Sequence, residues 1–232
     1  MFRFSLDRLP FDHLPSDRRP RRAAMLLGGL AAYGISDGLL IQAGLGVDPW
    51  DVLHQGLSRT VGGRVGNWSI IVGALVLLAW LPLRQRPGIG TITNVFLIGL
   101  GINATTWLVP APAGLAVRIP LMLGAIALNG VATGLYIGAG LGPGPRDGLM
   151  TGLAARGHSV RVVRTGIELG VLALGWQLGG SVGAGTVVYA AAIGPLAHVT
   201  LPLFRLRTPA DRSEIQAQAE SRSGLSAGRL PE

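Results

Sequence analysis

Seven side chains in this sequence have the type and spacing to bind or move a charged species. The run Gly-Leu-Gly-x-x-Pro-x-Asp occurs twice, ending on Asp51 and on Asp147. Its glycines permit positive φ and a sharp reversal. Pro49 and Pro145 suit the first turn of a new helix. Asp48 can cap the first such helix and Gly144 the second. Asp51 and Asp147 then take the third helical position, where a carboxylate can bond back to the capping residue's N–H. The motif is therefore either a well-made helix start that needs no ligand, or a pair of carboxylates beside broken helix ends that line a solute or cation site. Trp50 and Arg146 hold equivalent places in the two copies. Trp50 suits an interfacial anchor or the aromatic wall of a site. Arg146 suits a marker of the inner face or a receptor for an anionic group.

Three further charges lie in apolar sequence. Asp37 falls well inside a hydrophobic run, and a carboxylate near the centre of a lone membrane helix costs about 2.5–3.5 kcal/mol. An Arg, a water-filled path or a shared proton would offset that cost. So would a polar clamp to Asn67, Asn94, Asn103 or Asn129. Arg164 and Glu168 are spaced i, i+4 and share one helix face, with Glu168 about 6 Å deeper. Arg164 can snorkel to the interface. Glu168 is either half of a structural ion pair or a ligand or proton site. His13, His54, His158 and His198 are scattered without zinc spacing, so no metal is expected. No P-loop, complete Gly-x-Gly-x-x-Gly or Ser/His/Asp arrangement occurs, so no cofactor and no enzyme activity are expected.

The elements that must position these residues come from a longer repeat. Residues 34–57 return as 130–153, displaced by 96 without a gap. Gly88-Ile89-Gly90-Thr91 returns as Gly183-Ala184-Gly185-Thr186, displaced by 95. The chain has 232 residues, of which 49% are hydrophobic and 14% charged, with a mean hydropathy of +0.46. A soluble domain carries about 25% charged residues, so this composition indicates a protein that crosses the membrane several times. The net charge is +8 and every basic residue is Arg, which points to a GC-rich bacterial genome. These arginines flank apolar spans, as positive-inside topology requires, and do not suggest a nucleic-acid partner. Cysteine is absent, which excludes a disulfide framework and thiolate chemistry. The first apolar run follows an Arg-rich lead and lacks a small-residue cleavage site, so no secretory signal is expected.

A hydrocarbon core of about 30 Å needs about 20 helical residues. Six segments approach this: Ala23–Ala43, Trp68–Leu83, Thr91–Val109, Ile119–Ala139, Val162–Leu178 and Thr186–Phe204. Pro49–Ser58 and Pro145–Ala155 are too short to cross alone. Arg18, Arg19, Arg21, Arg22, Arg84, Arg86, Arg146, Arg156, Arg161, Arg205 and Arg207 then fall on the cytoplasmic side, and only Arg59, Arg64 and Arg118 fall outside. The organisation expected is a basic cytoplasmic lead (1–22), a three-span repeat (23–109), a second three-span repeat (110–207) and a disordered cytoplasmic tail (208–232). Because each repeat holds an odd number of spans, the second is inverted, and the two short helices can point at each other near the midplane.

Ala43-Gly44-Leu45-Gly46-Val47-Asp48-Pro49-Trp50-Asp51-Val52-Leu53, Gly90-Thr91, Arg164-Thr165-x-x-Glu168 and Gly179-Gly180-x-Val182-Gly183-x-Gly185-Thr186 together resemble the YczE/YyaS/YitT family of bacterial integral membrane proteins. The resemblance spans about 23–205, with Asp48 where the family usually has a small residue. It implies a multi-spanning plasma-membrane protein and names no substrate.

The sequence thus predicts an all-α membrane protein with six transmembrane helices in two inverted three-helix repeats and both termini cytoplasmic. The leading functional expectation is a secondary transporter of a small polar or charged solute, coupled to a proton or cation. Asp37, Asp51, Asp147, Trp50, Arg146, Arg164 and Glu168 would form its site. The alternative is a non-transporting accessory protein that recruits a cytoplasmic partner through its tails. The bilayer is the expected environment, and a homodimer is a candidate assembly.

Overall fold

The computed structural model describes residues 19–206. Most of the basic lead and the whole tail therefore lie outside the described residues. Eight helices follow in order: α1 (Arg19–Ala43), α2 (Pro49–Val61), α3 (Val65–Leu83), α4 (Ile89–Leu108), α5 (Leu115–Gly138), α6 (Pro145–Ala154), α7 (Val160–Gln177) and α8 (Ala184–Phe204). No strand occurs among the described residues. Five helices, α1, α3, α4, α5 and α8, are long and apolar enough to cross a membrane. The remaining long helix, α7, carries Arg161, Arg164 and Glu168 within 18 residues.

The first helix begins at Arg19, four residues before the expected start at Ala23. The reason is Arg22, which the sequence places at the end of the basic cytoplasmic lead. It is fully buried and donates to Ala139 O at 2.6 Å and Leu206 O at 3.3 Å. Carbonyls just past the ends of α5 and α8, which lack intrahelical partners, thus hold the first turn of α1 in place.

Packing pairs the helices evenly. The centre is α1 against α5, with α4 on α1 and α8 on α5. The short α2 packs on α3 and α7, and the short α6 packs on the same two helices. Individual contacts repeat in the same way. Arg118 donates to Ala43 O and Gly44 O, both at 2.6 Å, as Arg22, 96 residues earlier, donates to Ala139 O. Gly185 N–H donates to Leu45 O at 2.8 Å, and Gly90 N–H donates to Leu141 O at 2.9 Å. In each pair, donor and acceptor are the repeat equivalents of those in the other.

Glycine is required where these loops touch. Gly46 has φ +107°, and a Cβ there would lie 2.6 Å from Gly183 N. Gly142 has φ +124°, and a Cβ there would lie 2.7 Å from Thr91 Oγ1. Both the backbone conformation and the close approach exclude a side chain.

The bundle carries its apolar groups outside and many polar groups inside. Leu81, Trp107 and Val187 are 69%, 75% and 70% exposed, whereas Asp37, Asp51 and Asn129 are each 0% exposed. In water such a skin would be an aggregation surface. In lipid it is the expected exterior, because backbone polar groups are satisfied within the helices.

Candidate functional site

The first turns of the two short helices meet. Asp48 caps α2 as expected: its Oδ1 accepts from Trp50 N–H at 3.0 Å and Asp51 N–H at 3.3 Å. Gly144 occupies the equivalent place in α6 and has no side chain to offer. From the second position of α6, Arg146 reaches back to α2. Its guanidinium lies 3.6 Å from Asp48 Oδ1 and 4.9 Å from the Trp50 ring centroid, a cation–π geometry. The repeat-equivalent Trp50 and Arg146 therefore touch each other. Trp50 is buried beside Val76 and Met150 and lines a cavity, and it is not exposed as an interfacial anchor would be.

Behind this contact three carboxylates converge. Asp51 does not make the expected bond back to its cap; its Oδ1 lies 2.9 Å from His54 Nδ1, one turn along the helix. Asp37 comes down from α1, and the reversal through Gly44 and Gly46 brings it to the start of α2. One carboxylate oxygen each from Asp37, Asp48 and Asp51 lies within 4.8 Å of the other two. All three residues are buried. Of the four asparagines considered as a clamp for Asp37, Asn129 serves: its Nδ2 donates to Asp37 Oδ1 at 2.9 Å and to Ser36 Oγ at 2.8 Å. Tyr189 holds the amide from the other side, donating to Asn129 Oδ1 at 3.0 Å. Asn103 instead bonds Asn67 at 2.7 Å.

In front lies a cavity of about 400 Å³. Its charged wall is Asp48, Arg146, Asp147, Arg164 and Glu168. Asp147 accepts from Tyr136 OH at 3.2 Å, and Arg164 Nε bonds Glu168 Oε1 at 3.0 Å. The expected symmetry of the two loop aspartates ends here: Asp147 is on the cavity wall, while Asp51 is sealed behind it. Tyr33 and Asn94 also face the cavity, with Tyr33 edge-on to Tyr136 at 5.9 Å between ring centroids. Sequence reasoning missed Tyr33, Tyr136 and Tyr189, weighed His54 only as a metal ligand, and left Asp48 between capping and binding. A signal was present: Tyr33 and Asn129 are repeat equivalents displaced by 96, and Asn94 and Tyr189 are equivalents displaced by 95.

Residues 20–202 match a family of unknown function, DUF6198. The chain is 38% identical over 176 residues to the uncharacterized membrane protein YczE of Bacillus subtilis, covering 75% of this chain and 81% of the relative. It is 28% identical to the uncharacterized protein YyaS of the same organism, covering 75% of this chain and 90% of the relative. The chain belongs to the YczE/YyaS family. A further similar protein, an uncharacterized protein of Haemophilus influenzae, is 42% identical over 182 residues, covering 78% of this chain and 84% of the relative. No solved structure matches this YczE/YyaS-family chain. The family match spans α1 to α8 almost completely, so the motif loops, the three buried aspartates and the cavity all lie within the region shared with this family of membrane proteins.

Proposed function

We propose that this YczE/YyaS-family protein is a small secondary transporter of the bacterial plasma membrane, moving a small polar or charged solute. The observation that carries this reading is the charged cavity at the meeting of α2 and α6, inside a bundle with an apolar skin. Its volume lies within the range of about 300–1,000 Å³ typical of small-ligand pockets. Cationic Arg146 and Arg164 and anionic Asp147 and Glu168 all face it. A solute bearing charge at one or both ends would find a partner there. A lipid-facing structural bundle has no use for such a wall.

In this reading α7 is the sixth span, and its charged face is turned toward the cavity. The halves α1–α4 and α5–α8 are inverted repeats that rock about the cavity, with both termini cytoplasmic. Support comes from the reciprocal pairs Gly185–Leu45 and Gly90–Leu141 and from the paired arginine caps. Broken helices in corresponding places of two halves are also how many transporters build a midplane site.

The test is uptake into proteoliposomes from a panel of small amino acids, carboxylates and amines. Saturable uptake of a panel member, lowered roughly tenfold or more by Arg146→Gln and Asp147→Asn, would support the reading. No uptake above protein-free liposomes, with a cytoplasmic protein that co-purifies with the full chain lost on deleting 1–18 and 207–232, would replace it with the accessory-protein reading.

A further inference from the structure

We propose that Asp37, Asp48 and Asp51 form a binding site for one hard divalent cation. The proposal concerns cation binding and stands whether or not the cavity carries a solute. Three observations combine.

The first is geometry. Ligands of one ion at about 2.0–2.6 Å must lie within about 5 Å of each other. The three carboxylate oxygens are within 4.8 Å.

The second is what remains unsatisfied. One oxygen of each aspartate is already engaged: Asp37 Oδ1 with Asn129, Asp48 Oδ1 with the α2 amides, and Asp51 Oδ1 with His54. The remaining Oδ2 of all three is buried and has no hydrogen-bond partner among the described residues. Buried polar groups are ordinarily bonded, and one unbonded oxygen on each of three neighbouring aspartates marks a missing partner. The engaged oxygens fix the carboxylates, as the neighbours of metal ligands commonly do.

The third is charge. The charged group beside the cluster is Arg146, 3.6 Å from Asp48 Oδ1. With all three carboxylates ionised, as ligands of a cation would be, it offsets one of three negative charges and leaves two among buried residues. An uncompensated buried charge is strongly disfavoured. One divalent cation supplies the balance.

The donor set selects the class of ion. Carboxylate oxygens suit magnesium, calcium or manganese, whereas zinc and copper favour imidazole and thiolate. The imidazole nitrogen nearest the cluster, His54 Nδ1, is taken up by Asp51. Asp48 also lies on the cavity wall, so a cation has a route in from the cavity.

The experiment uses the full chain purified in detergent and treated with EDTA. Magnesium, calcium and manganese chlorides are titrated separately by calorimetry, and thermal unfolding is followed in parallel. The expected result is saturable binding of about one ion per chain for at least one of these, with a raised unfolding midpoint. Asp37→Asn and Asp51→Asn should each weaken that binding by roughly tenfold or more. The same substitutions should raise the unfolding midpoint of the EDTA-treated protein, because each removes an unpaired buried charge. If the variants do not fold, the unsubstituted chain still decides. Absence of saturable divalent binding overturns the proposal. So does stabilisation that follows sodium chloride or pH alone, which would assign the cluster to a monovalent ion or shared protons.

Discussion

Asn129 is the side chain on which the buried cluster turns, and replacing it by leucine tests the polar network directly. The residue is fully buried and ties α1 to α8 through Asp37 and Tyr189. Leucine has a similar volume, so the substitution removes hydrogen bonds without opening a large cavity. Ser36 keeps its bond to Tyr33 O at 2.6 Å. Asp37 Oδ1 and Tyr189 OH lose theirs. Interhelical hydrogen bonds in membranes average about 0.6 kcal/mol, so the three that Asn129 makes, with Ser36, Asp37 and Tyr189, set a floor of about 2 kcal/mol. Leaving a buried group unpaired costs about 1–3 kcal/mol, and more when it is charged. The carboxylate therefore places the expected loss at about 2–4 kcal/mol. Asp37→Leu in the same background removes the group that Asn129→Leu leaves unpaired. The double variant should then be more stable than the sum of the single effects by about 1–2 kcal/mol. Denaturant unfolding of the four proteins in micelles, followed by tryptophan fluorescence, measures this. Additivity within about 0.5 kcal/mol would refute the network.

Four more outcomes are expected. Gly46→Val and Gly142→Val should each lower stability by at least about 2 kcal/mol, since both force a β-branched residue into positive φ against a neighbouring segment. Gly28→Ala should be neutral or gain about 0.5–1 kcal/mol in a thermal melt, because a Cβ there meets nothing within 4 Å. Arg164→Gln should cost less than about 1 kcal/mol, the Arg164 side chain being 53% exposed. In uptake assays the same change should lower transport severalfold, separating a cavity role from a stabilising one. Arg118→Ala should cost about 1–3 kcal/mol by freeing the carbonyls of Ala43 and Gly44, read as a lower midpoint of chemical unfolding.

Much of the architecture is legible in the sequence because it follows local rules. Hydrophobic length marks the long helices. Gly44, Gly46 and Pro49 mark a reversal and a new helix start, and the 96-residue displacement shows that the device is used twice. Asp48 as a cap follows from the same chemistry. What could not be read depends on where the reversal sends the chain. Asp37 is eleven residues before Asp48, and only the folded loop makes them neighbours. The back-bond expected of Asp51 gives way to His54, because an imidazole one turn along competes for the same carboxylate. The burial of Arg22 is not legible, because a charge in a basic lead ordinarily faces water and its carbonyl partners are over a hundred residues away. Choosing Asn129 over Asn67, Asn94 and Asn103 requires knowing that α1 packs on α5. Trp50 and Arg146 are aligned by the repeat, but nothing in a linear alignment says that aligned positions touch.

The central claim is that the cavity between the two halves opens to both faces of the membrane. The absence of cysteine allows a direct measurement. Thr133→Cys and Ala197→Cys would each place one thiol on the cavity wall. Labelling by a membrane-impermeant maleimide is then compared in right-side-out and inside-out vesicles. A transporter with alternating access predicts that each thiol is labelled from both sides. Labelling of both thiols from one side alone, in every condition, would make the cavity a closed-ended pit and contradict the account.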